Sequence, residues 1–208
     1  LRCGVFHAVS AYCNAGFDIL ADVDAGGSLS AYAADPIFNF IIMALIIIGG
    51  LGFLVWGELR KIRRFSRLGV YTRLVLVITG LLIFGGAALI ALLEWDNPLT
   101  IGRMPVWQKL MASLFQSVTT RTAGFFTFSQ AGMTDAAKAV SDVLMFIGGS
   151  SGSTAGGLKM SRAILLCKLS LREIKKLLHP RSVTTVNFEG KEVDDRTLSG
   201  VATYFGAY

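Results

Sequence analysis

Between Pro36 and Gly57 the chain carries no charged residue, and the same is true from Leu74 to Leu93. About 20 uncharged apolar residues are what a helix needs to cross a ~30 Å hydrocarbon core. Such runs restrict a chain more than any other local feature. In lipid every backbone polar group must be satisfied internally, so a spanning segment has to be a helix or part of a closed barrel. Val140 to Leu158 is a third candidate, interrupted by glycines and serines, and a fourth is expected to begin near Leu198. The chain of 208 residues is 53% hydrophobic and 16% charged, which excludes an ordinary soluble domain. It opens on Leu1-Arg2-Cys3 without an initiator methionine, as expected of an internal fragment of a longer protein.

The net charge of +6 invites a nucleic-acid reading, but its distribution argues against one. Arg60, Lys61, Arg63, Arg64, Arg67 and Arg73 lie between the first two runs; Lys159, Arg162, Lys168, Arg172, Lys175, Lys176 and Arg181 follow the third. The alternate loops are acidic, with Asp18, Asp22, Asp24 and Asp35, then Glu94 and Asp96, then Asp135. This positive-inside pattern places the basic loops in the cytoplasm and the acidic ones outside. The partner so implied is a lipid bilayer, with no nucleic acid.

A short signature occurs twice. Asn14-Ala15-Gly16-Phe17 and Thr122-Ala123-Gly124-Phe125 each follow a short helical stretch and precede a long apolar segment. An Ile-Gly-Gly follows each, 33 residues from Gly16 to Gly49 and 24 from Gly124 to Gly148; the nine-residue difference fits a longer outer loop after the first signature. The expected fold is an all-α integral membrane protein built from repeated units of outer helix, re-entrant pore helix, filter loop and inner helix. Residues 1–57 are expected to end one pore repeat, 58–73 to form a cytoplasmic basic loop, and 74–158 to form a complete repeat with a broken inner helix. Residues 159–197 are expected to be cytoplasmic and 198–208 to start the next outer helix. Arg2 to Cys13 and Pro105 to Thr119 read as pore helices, with Pro105 in a first turn and Asp135 as an N-cap or first-turn acid.

These residues resemble a known family. The two signatures, Ser117-Val118-Thr119-Thr120-Arg121 before the second, and the run Gly148-Gly149-Ser150-Ser151-Gly152-Ser153-Thr154-Ala155-Gly156-Gly157 with Leu158-Lys159 after it, are similar to the membrane subunit of the Trk/Ktr potassium-uptake systems. His179-Pro180-Arg181 looks more like the Trk branch. The resemblance implies four repeats around a pseudo-fourfold pore, a homodimer, and a cytosolic ring of nucleotide-binding regulatory subunits. It implies a multi-pass protein of the bacterial cytoplasmic membrane that takes up potassium, with the filter side outward and no organic cofactor. The chain would then hold the end of the second repeat, the whole third, and the start of the fourth.

The chemistry of such a filter matches the residues. A potassium ion that sheds water needs replacement oxygens, supplied in potassium channels by rings of backbone carbonyls. Carbonyls of Cys13, Asn14, Ala15 and Gly16, and of Arg121, Thr122, Ala123 and Gly124, are the candidates. Glycine lets the chain take unusual dihedrals where a side chain would intrude. Phe17 and Phe125 would wedge the loops, and Arg121 would brace the filter from behind, held by an acid or by carbonyls ending the pore helix; snorkelling outward is its alternative. The bland alternative for each glycine is a simple helix break at a membrane edge. The run from Gly148 to Gly157 holds a helix poorly. The resemblance implies an intramembrane loop that obstructs conduction and moves on activation; a small-residue packing face along Gly148, Gly152 and Gly156 is the alternative. Lys159 either pairs with loop carbonyls or ends the span as a topology charge. Asp18, Asp22 and Asp24 either concentrate cations at the mouth or are simply solvated.

Other chemistries fail on the residues. Gly157 is followed by Leu158-Lys159-Met160, which is no phosphate loop. His7 and His179 are far apart, and His7 reads as a packing residue, so no metal site, nucleophile or enzymatic activity is expected. Cys3, Cys13 and Cys167 lack any CxxC spacing. Lys168 to Leu178 is basic and amphipathic, suited to a membrane surface or a partner. Asn187 to Lys191 reads as a turn or short hairpin. Two other function classes remain open: a carrier with discontinuous helices moving a small solute by alternating access, and a structural scaffold.

Overall fold

The computed structural model describes residues 2–19, 28–62, 64–178, 187–188 and 191–207. The helices are α1 (Arg2–Tyr12), α2 (Pro36–Lys61), α3 (Val70–Glu94), α4 (Val106–Thr119), α5 (Asp135–Phe146), α6 (Met160–Leu178) and α7 (Asp195–Ala207). A two-stranded antiparallel hairpin, β1 (Asn187–Phe188) with β2 (Lys191–Glu192), pairs Asn187 with Glu192 and Phe188 with Lys191. The expected hairpin is therefore present. His179-Pro180-Arg181 lies outside the described residues.

The two uncharged runs become α2 and α3, each long and apolar enough to cross a membrane. Asp35 caps α2, its carboxylate accepting from the N–H groups of Ile37 (3.0 Å) and Phe38 (3.2 Å), with Pro36 at the first position. Phe40, Phe53, Leu81, Phe84 and Leu92 remain exposed along these helices, as an apolar solvent allows. Pro105 sits one position earlier than expected, as the N-cap of α4 with ψ 153°, an extended value outside the helix. Asp135 takes the first-turn role, because Thr134 is the cap and accepts from the Ala137 N–H at 3.3 Å. The third apolar run is not a continuous helix: α5 ends at Phe146, and Ile147 turns extended (φ −88°, ψ 93°).

α4 lies at the centre, packed against α3 and α2, and α1 packs on α2. Its buried face (Met111, Phe115, Val118) meets Ile42, Met43 and Ile46 of α2 and Ile83 of α3. Ser117 fixes the crossing with α3 by donating to the Ile83 carbonyl at 2.8 Å. The C-terminal end of α3 is tied by Glu94, which is fully buried. Its carboxylate accepts from the Thr100 hydroxyl (2.6 Å), Asn97 Nδ2 (2.7 Å), the Thr134 N–H (2.8 Å) and the Thr134 hydroxyl (2.6 Å). A buried carboxylate with four donors is satisfied without a cation. It joins the end of α3, the turn leading to α4 and the cap of α5.

Candidate ion-path site

The two signatures adopt the same backbone. Asn14 (φ 50°) and Gly16 (φ 70°) are left-handed, and so are Thr122 (φ 71°) and Gly124 (φ 92°). Asparagine tolerates this region; a β-branched threonine there is an outlier. The glycines meet. A Cβ on Gly16 would strike the Ala123 carbonyl and lie 3.0 Å from the Gly124 Cα, while one on Gly124 would lie 3.4 Å from the Gly16 Cα. Ala15 and Gly124 are exposed, so this edge of the paired turns is open.

A helix hydroxyl hooks each turn. Ser10 Oγ donates to the Phe17 carbonyl at 2.9 Å, and Thr119 Oγ1 to the Phe125 carbonyl at 2.6 Å. Phe125 is buried; Phe17 is 69% exposed, on the open face beside Val5, Phe6 and Val9. Behind the first turn stands His7, 2% exposed. Its Nδ1 lies 2.7 Å from the Cys3 carbonyl and its Nε2 2.7 Å from Asp18 Oδ1. A carbonyl only accepts, so Nδ1 carries a proton. His7 thus does more than pack, and Asp18 is bonded to its ring rather than simply solvated. Asp22 and Asp24 lie outside the described residues. Arg121 is 6% exposed, and its Nε and Nη2 have no hydrogen-bond partner among the described residues. Cys13, which also directly precedes its signature, is exposed.

Residues 148–157 form an irregular loop closed at its neck. Ile147 and Leu158 form a parallel bridge, with the Gly148 N–H on the Leu158 carbonyl and the Leu158 N–H on the Phe146 carbonyl, both at 3.1 Å. Gly152 (φ 75°) and Gly157 (φ 68°) make the reversals. Because the segment is not helical, the four-residue glycine spacing forms no helix-packing face. The loop touches both signatures. Thr154 Oγ1 accepts from Asn14 Nδ2 at 2.8 Å and donates to the Tyr12 carbonyl at 2.9 Å. The Gly156 N–H donates to Thr122 Oγ1 at 2.8 Å. Lys159 Nζ donates to the Ala155 carbonyl, so it pairs with the loop. Ser151 bonds through its N–H to the Tyr71 hydroxyl (2.8 Å) and through its own hydroxyl to Ser161 (2.6 Å).

The structure thus brings together Gly16 with Gly124, Asn14 with Thr154, and Thr122 with Gly156. Sequence reasoning missed the His7–Asp18 pair, whose members sit eleven positions apart across a turn. It missed the role of Glu94, read only as a loop acid beside Asp96. It also missed a break in α2 at Gly52 (φ 77°, ψ 161°), whose signal was the third glycine of Gly49-Gly50-Leu51-Gly52.

Comparison with known proteins places residues 2–203 in the TrkH family, described as cation transport proteins. The chain is 40% identical over 166 residues to the potassium/sodium uptake protein NtpJ of Enterococcus hirae, covering 79% of this chain and 36% of that protein. It is 40% identical over 168 residues to the Ktr system potassium uptake protein B of Bacillus subtilis, covering 80% and 36%. It is 31% identical over 188 residues to the Trk system potassium uptake protein TrkH of Salmonella typhimurium, covering 85% and 36%. The crystal structure of the potassium transporter TrkH from Vibrio parahaemolyticus superimposes with a TM-score of 0.80 at 25% identity, covering 99% of this chain and 42% of that one. The chain therefore spans a little over a third of the curated relatives it matches, and its identity is higher to the Ktr protein than to the Salmonella Trk protein.

Proposed function

Because the chain belongs to the TrkH family of cation transport proteins, we propose that it supplies two filter signatures and the gate of a potassium-uptake pore in the cytoplasmic membrane. The observation that carries this reading is the backbone-to-backbone meeting of Gly16 and Gly124 in turns with one shared left-handed pattern. Carbonyls of residues 13–16 and 121–124 replace potassium's water, as rings of carbonyls do in channels. Phe125 and Arg121 back the second turn, and Phe17 the first once the remaining signatures cover its open face. Residues 148–157 are the gate: they bond to both signatures and leave irregular backbone where only protein or a wet cavity tolerates it. Residues 1–57 and 74–158 act as repeat units, with basic segments 58–73 and 159–197 cytoplasmic. Potassium is cargo, and transport needs no chemical step. A second copy of the protein and a cytosolic ring of nucleotide-binding subunits are the partners.

The test is growth of a potassium-uptake-deficient bacterium on low potassium, complemented with the full-length protein. Rescue is expected, and deleting Ser150 to Ala155 should raise potassium flux. Sodium flux is measured in parallel, since the name of one relative pairs the two ions. No rescue despite membrane expression with the regulatory subunit present would overturn the reading.

A further inference from the structure

The break in α2 and the glycine–serine loop satisfy each other's backbone. An uninterrupted helix bonds each N–H to the carbonyl four residues back. At Gly52 the helix leaves that path, and the Phe53 N–H donates instead to the Gly152 carbonyl at 3.2 Å. The Gly49 carbonyl accepts from the Thr154 N–H at 3.3 Å, and the Gly50 carbonyl from the Ser150 N–H at 3.1 Å. The Leu51 carbonyl accepts from the Ser150 hydroxyl. Orphaned backbone groups are costly at membrane depth, so neither the break nor this loop position is stable without the other. Two independent features demand glycine at position 52. Its φ is left-handed, and a Cβ there would lie 2.8 Å from Ser150 Oγ and 2.9 Å from the Gly152 carbonyl.

We propose that Gly52 is a positioning residue for the gate: the break it makes in α2 is the seat that holds the loop in the ion path. This rests on the reading of residues 148–157 as the gate. When the loop leaves, α2 straightens about Gly52, and the Phe53 N–H returns to the Gly49 carbonyl. The open state then keeps its backbone paired. A broken helix with a seated loop and a straight helix with a released loop are two discrete packings, the kind of bistable element that switches use.

The experiment compares potassium flux, and the potassium-to-sodium ratio, for the full-length protein in liposomes without regulatory subunit. Gly52→Ala disfavours the left-handed dihedral and collides with the seated loop. It should raise flux roughly tenfold with the ion ratio unchanged, equal to about 1.4 kcal/mol in the loop equilibrium. Gly57→Ala, where a Cβ meets nothing within 4 Å, should change neither. Added to the Ser150–Ala155 deletion, Gly52→Ala should raise flux no further, because it acts through the loop. If the deletion itself leaves flux unchanged, the gate reading fails. If the deletion raises flux and Gly52→Ala does not, the seat fails while the gate stands. If Gly52→Ala does not fold, Ser150→Ala decides. It removes only the hydroxyl bonds and should raise flux about fivefold; unchanged flux would overturn the proposal.

Discussion

The two signature turns share a backbone and differ in what stands behind it. Counted from the paired glycines, Phe115 and Phe126 of the second turn occupy the positions of His7 and Asp18 in the first. Phe115 is fully buried in the α4 core, whereas His7 and Asp18 form a polar contact 2.7 Å long. Both turns keep the left-handed pair of residues, and each is hooked by a hydroxyl from the preceding helix, one position later in the second turn. Carbonyl direction is set by φ and ψ, so it is the backbone pattern that a carbonyl site must repeat. The backing has only to be rigid and satisfied, and an apolar plug or a bonded pair does either job.

The comparison breaks most readily at the glycines. Gly16→Ser should abolish uptake, because its Cβ has no room against the Ala123 carbonyl. Gly124→Ser has contact only at 3.4 Å and bears mainly dihedral strain of about 1–3 kcal/mol, so it should transport with a lower potassium-to-sodium ratio. Flux assays on both variants check this, and equal losses would refute the asymmetry. Next in size, His7→Phe gives the first turn the second turn's residue but leaves Asp18 without its ring partner. It should cost about 1–3 kcal/mol in thermal unfolding of the detergent-solubilised protein. No change in melting would show that the polar pair is dispensable backing. The smallest effect is expected from the hooks. Ser10→Ala and Thr119→Ala should each cost about 1 kcal/mol and lower ion selectivity modestly and equally. Unequal effects on the ion ratio would mean that the hooks are not equivalent.

Much of this was legible in the residues. The uncharged runs gave α2 and α3 because length and composition alone decide whether a helix suits lipid. The paired signatures gave the position of both turns, and the glycine–serine run gave the broken third segment. Phe17 and Phe125 look identical in sequence, yet one is 69% exposed and the other buried, because α4 is surrounded and α1 has an open side. His7 looked like packing because its acid lies beyond the turn, and Glu94 looked like a topology charge because its donors come from outside its helix, from the turn at Asn97 and Thr100 and from Thr134 forty positions on.

The sequence by itself determined that this chain is a membrane protein, where its basic residues cluster between apolar runs, and where glycine frees the backbone at the two signatures. Those properties depend on charge, apolar length and the absence of a Cβ, all local to the residues concerned. Only the tertiary structure decided that Gly16 faces Gly124, that Asn14 and Thr122 bond to the loop, and that the backbone around the break in α2 at Gly52 bonds to it as well. Each of these is a hydrogen bond or close approach between segments far apart in the chain, and no local pattern specifies which distant group will satisfy an unpaired N–H or carbonyl.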